Sequence, residues 1–92
     1  MIFQRKPTHN YLGEVWSDPD NRHDKREENH NLYFDSETGE YIVVEAVEHV
    51  SGPNVSCSHV IHSVEEYVQL HPELREIVEQ MVFLHKQKGS HA

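Results

Sequence analysis

The alternation of apolar and polar positions is clearest in two runs, residues 32–34 and 41–47, joined by Asp35, Ser36, Glu37, Thr38 and Gly39. Gly39 supplies the positive φ that a tight loop needs, and the flanking runs are rich in aromatic and β-branched residues, so the pattern predicts a β-hairpin. In its second strand Ile42, Val44 and Ala46 share one face, and Val43 and Val47 share the other with Glu45 between them. Two partly apolar faces predict a central strand covered on one side by a helix. Ser51, Gly52, Pro53 and Asn54 then make a turn. Residues 55–62 alternate again, with Val55, Cys57, His59 and Ile61 on one face, which predicts a third antiparallel strand.

From Ser63 the period changes. Ser63 and Glu66 have the spacing of a capping box, in which the serine accepts from the Glu66 amide and the glutamate reaches back. Val64, Tyr67, Val68, Leu74, Ile77, Val78, Met81, Val82 and Leu84 follow near helical spacing and predict a buried stripe. Pro72 would remove an interior hydrogen bond, so a short helix is expected over about 64–70 and a longer one from 72, with Gly89 just past its end.

Ahead of the hairpin the signals are thinner. Ile2 and Phe3 suggest a short strand over 1–6, ended by Pro7. Tyr11, Leu12, Val15 and Trp16 fit one helical turn or a short irregular strand, with Trp16 as a core anchor. Residues 17–31 are polar throughout, with five acids and three bases, and predict an exposed loop with a helical turn near 24–28. Together these readings describe one α+β domain over residues 1–92. Its small antiparallel sheet is a hairpin plus a third strand, with the C-terminal helices packed on one face.

Charge changes this picture more than composition does. Residues 27–79 carry twelve carboxylates and one base, Arg75. Ordinary surfaces mix both signs, so a folded core with an acid-only exterior points to a partner with a positive surface. Ninety-two residues bury a thin core, and pairing as a homodimer would relieve both its thinness and the repulsion among its charges. The single cysteine, Cys57, excludes an intramolecular disulfide and fits a reducing cytoplasm. No apolar run reaches the roughly 20 residues of a membrane span, and the start lacks the apolar stretch of a signal peptide. Protonating all nine histidines would carry the formal charge from −8 to +1, so any action resting on negative charge weakens on acidification.

Catalysis finds little support. His59 lies two residues from Cys57 on the same strand face, about 6.8 Å along the strand, too far to activate the thiol; a buried structural cysteine is expected. Asp18, Asp20 and Asp24 suggest a calcium loop, but Arg22 takes a ligand position and His23 replaces the turn glycine. A zinc site could recruit Cys57, His59 and His62 with His49, although strand alternation sends His62 to the opposite face. Direct nucleic-acid binding is disfavoured, because the only basic run, residues 22–26, is diluted by Asp24 and followed by Glu27 and Glu28. No catalytic, metal or cofactor residues are nominated.

The acids themselves carry the functional reading. Asp35, Glu37, Glu40, Glu45, Glu48, Glu65, Glu66, Glu73, Glu76 and Glu79 are the candidates for imitating phosphates. Acids two apart on a strand are spaced by about 6.8 Å, and those three or four apart on a helix by about 5 to 6 Å at the Cβ atoms. Glu45 has the weakest claim among them, because its strand is expected to be covered.

In length, acidity and the base-poor stretch over 27–79 the chain resembles the phage-encoded DNA mimics that block host restriction, in particular the small Arn-type anti-restriction proteins of T-even coliphages. That resemblance implies a non-enzymatic inhibitor. It would act in the host cytoplasm by occupying the DNA-binding surface of a restriction nuclease of the McrBC kind or of another DNA-binding protein. Two further classes stay open: a regulatory module acting through an apolar patch, and a histidine–cysteine metal protein.

Overall fold

A computed structural model describes residues 3–18 and 26–89. Four strands, β1 (His9–Asp18), β2 (Arg26–Asp35), β3 (Glu40–Ser51) and β4 (Asn54–Ser63), precede α1 (Val64–Leu70), a single 3-10 turn (Pro72–Leu74) and α2 (Arg75–Gly89). The strands lie in sequence order in one sheet, and every pair is antiparallel. This is the α+β arrangement that the sequence predicts, with β1 added at one edge.

Local chemistry explains the junctions. The β2–β3 turn closes through Gly39 N–H to Asp35 C=O at 2.7 Å and Glu37 N–H to the Asp35 carboxylate at 2.9 Å, with Gly39 at φ 74°. Ser63 caps α1 by accepting from the Glu66 amide at 3.2 Å. The Glu66 carboxylate bonds the His62 ring at 2.8 Å, so the cap is met from one side only.

The pairing of Val43 with Leu32 and with His62 puts Leu32, Val43, His62, Glu45 and His30 on one face. The core forms there, from Val15, Leu32 and Val43 beneath Tyr67, Val68, Leu74 and Val78 of the helical segment. Gly13, at φ 149°, holds a backbone conformation that residues with a side chain rarely adopt, and lies under the flexible end of Met81 on α2. The opposite face carries Tyr33, Val44, Cys57, His59 and Ile61. The backbone amide of Phe3 donates to His59 Nδ1 at 2.7 Å, and its ring packs on His9 and Tyr33.

Several expectations need correction. Residues 26–31 are strand, not loop, because pairing with β3, joined by β1 from residue 28 onward, extends the hairpin beyond the point where its apolar pattern stops. Residues 17–18 belong to β1; the rest of the expected loop, residues 19–25, lies outside the described residues. Residues 3–6 form no strand, and the other residues of that expectation, 1–2, lie outside the description. Trp16 is exposed at 37%, on the edge strand β1, with its ring against His30. Ile77 and Leu84 are exposed as well: a single helix layer buries the narrower stripe of Leu74, Val78, Met81 and Val82. Cys57 is exposed on the helix-free face. His62 does lie on the face opposite Cys57 and His59, as alternation predicts.

Candidate functional site: exposed acids and a histidine–glutamate cluster

The ten nominated carboxylates divide by environment. Glu37 and Glu40 stand exposed at the β2–β3 turn, Glu65 and Glu66 on α1, Glu73 in the 3-10 turn, Glu76 and Glu79 on α2, and Glu48 on β3. Glu40 and Glu65 line a shallow hollow with Tyr41, Val64, Val82 and Lys86, and Glu79 borders the adjoining one with Phe83. These three acids therefore border neighbouring hollows that share Val64, Val82 and the cation Lys86. Glu48 is separate from them, near the far end of β3 and directly opposite Glu27 of β2. Like charges in that position repel one another. Glu27 is exposed too, though it is not among the ten nominated acids.

Two nominated residues do not belong to that exterior. Asp35 is buried in the turn: burial pushes its carboxyl up, but the Glu37 amide, the Thr8 side chain, His9 and the Thr38 amide outweigh this and hold it below the ordinary range. Glu45 is half-buried on the helix-covered face, where His71 Nε2 lies 3.1 Å and His62 Nε2 3.4 Å from its Oε1. Both acids serve internal partners. Of the bases, Arg75 pairs with Glu79 at 3.3 Å, an exposed contact of small energetic weight.

Glu45 leads to an arrangement that sequence reasoning did not assemble. His30 of β2 bonds the Tyr67 hydroxyl through Nδ1 at 2.5 Å and Glu28 through Nε2 at 2.9 Å. Glu28 only accepts, so in the neutral ring Nε2 carries the proton and Nδ1 accepts from Tyr67. His62 contacts Glu45 on one side and Glu66 on the other. His71, just after α1, faces Glu45 through Nε2, and its Nδ1 lies 3.6 Å from Glu73. The Tyr67 ring joins the two halves, edge-on to His30 and tilted against His71. Burial first, then the charges of Glu45, Glu73 and Glu28, push the Tyr67 hydroxyl far above its usual pKa and keep it protonated.

The only sequence signal for this cluster is the strand alternation that puts His30 and Glu45 at paired positions of neighbouring strands. It could not be read while residues 26–31 were assigned to a loop. The expected set of Cys57, His59, His62 and His49 is not gathered, since β4 alternation separates His62 from the first two. No family model, curated protein or solved structure matches this chain.

Proposed function

We propose that the protein is a non-enzymatic acidic inhibitor that occupies the DNA-binding surface of a basic protein, such as a restriction nuclease, in the cytoplasm. One observation carries the reading. Eight of the ten nominated carboxylates are exposed, and the one base in their stretch of chain is already paired with Glu79. Asp35 and Glu45, buried and half-buried, are not part of the proposed surface; Glu66 and Glu73 are exposed while also reaching His62 and His71. Its centre is the helical side, where Glu76 and Glu79 stand three residues apart, about 5 to 6 Å at Cβ, with Glu65, Glu66 and Glu73 on the same segment. The long axis of 49 Å matches the rise of about 14 base pairs at ~3.4 Å each. No helix among the described residues is long and apolar enough to cross a membrane.

Competition tests this. A nuclease bound to labelled duplex should release it as the protein is titrated in, and the displacement should weaken steeply with added salt. The triple variant E73Q/E76Q/E79Q should keep its fold and compete less well; equal competition would remove the helical acids from the surface. The exposure of Leu70, Ile77, Phe83 and Leu84 favours a second reading, an interaction module that docks a protein, a second copy included, through apolar side chains. Binding by that route would respond little to salt.

A further inference from the structure

His30, Glu45 and His71 each offer one ligand atom, and the three atoms lie within 4.8 Å of one another. We propose that they form a binding site for a divalent transition-metal ion of the zinc class. Two imidazoles and a carboxylate are a donor set that zinc accepts with a water in its fourth position, whereas calcium and magnesium favour all-oxygen shells. The ligating carboxylate, the half-buried Glu45, is not part of the proposed acidic surface, although Glu66 and Glu73 of that surface border the cluster through His62 and His71.

Bond lengths of 2.0–2.2 Å put donor atoms of a tetrahedral site about 3.3 to 3.5 Å apart. Glu45 Oε1 and His71 Nε2 stand at 3.1 Å, close to that separation already. With all three atoms within 4.8 Å, closing the rest of the triangle needs a movement of at most about 1.5 Å. His71 can supply it, because its side chain is 29% exposed on a turn, while His30 is held at 3%. The Glu45 carboxylate, at 19%, also keeps some contact with solvent, so the cluster is not sealed from water.

The surroundings have the form that orients metal ligands. Outer partners fix ring tautomer and direction in such sites. Here Glu73 lies beside the other nitrogen of His71, and His62, itself bonded to Glu66, lies beside Glu45. His30 has both Tyr67 and Glu28. Ligation would take one His30 nitrogen out of its hydrogen bond and leave the other to aim the ring. A bound ion would join β2, β3 and the turn after α1, connecting the helical layer to the sheet.

The test uses the full, untagged chain after chelator treatment, titrated with Zn²⁺ by calorimetry and with Co²⁺ by visible absorbance. The expected result is saturation at one ion per chain, with Co²⁺ bands of low-coordinate nitrogen–oxygen ligation. Because the site exists only in the folded form, free Zn²⁺ at 100 times Kd should raise the folding constant about 100-fold. His71→Ala and Glu45→Gln should each weaken binding by more than about 100-fold, and Glu66→Gln, acting through His62, by about tenfold. Cys57→Ser and His59→Asn should change nothing. Circular dichroism of the ion-free variants separates lost ligation from lost fold. Two outcomes would overturn the site: no stoichiometric binding, or binding that survives His71→Ala in a folded chain and disappears with Cys57→Ser.

Discussion

Replacing Tyr67 by phenylalanine removes one oxygen atom from a fully buried ring and leaves the packing of Val68, Leu74 and Val78 around it in place. What changes is His30. Its Nδ1 loses the hydroxyl at 2.5 Å, and at 2% exposure the ring has no ready access to water. A buried polar group left without a partner costs about 1–3 kcal/mol, more than the net ~1 kcal/mol of an ordinary hydrogen bond. For a chain of this size that corresponds to a fall in Tm of roughly 4–8 °C per kcal/mol. Urea unfolding of ion-free protein can be followed through the single tryptophan, because the Trp16 ring lies 4.9 Å from that of His30 and reports on the same site. The midpoint should fall with the slope unchanged. A double-mutant cycle with His30→Phe should then give a coupling of at least about 0.5 kcal/mol. Additive effects of the two changes, or a loss below about 0.5 kcal/mol for Tyr67→Phe alone, would refute the reasoning that buried His30 depends on this hydroxyl.

Other expectations follow from the same structure. Leu32→Ala, at a position with no exposed surface beneath the helices, should cost about 2–5 kcal/mol in chemical unfolding. Tyr67 also makes stability sensitive to alkali. Its folded pKa is raised, so its contribution is complete below the unfolded value of about 10 and is lost as pH climbs through the folded one; thermal melts should decline above about pH 10, and less so in Tyr67→Phe. Asp35 acts in the opposite direction. Its folded pKa is lowered, so its contribution is present above about pH 4 and is lost as pH falls through the folded value. Asp35→Asn should remove that part of the acid dependence in melts across pH 2 to 5.

How much was legible in the sequence varied with the range of the interactions involved. The β2–β3 turn, β4, the Ser63 cap and the break at Pro72 could be read directly, because each rests on contacts within a few residues: an Asp35 carboxylate reaching the Glu37 amide, a serine reaching the third amide ahead, a proline without an N–H. Charge segregation is likewise a property of composition, and it supports the functional proposal without any coordinates. Strand β1 and the polar half of β2 were not legible. Residues 26–31 are strand because β3 pairs with all of them and β1 with residues 28–31, and no local preference encodes that.

The sequence by itself therefore determined the elements from the β2–β3 hairpin onward, their hinges and an abundance of acids, all set by short-range backbone chemistry and by residue type. Only the tertiary structure decided which side chains those elements share. It took Asp35 and Glu45 out of the acidic surface, exposed Cys57 and Trp16, and brought His30, Glu45 and His71 together from positions 15 and 26 residues apart. The register of three antiparallel strands and the docking of one turn produce that meeting, and register is settled by the pairing of whole strands, not by any single residue.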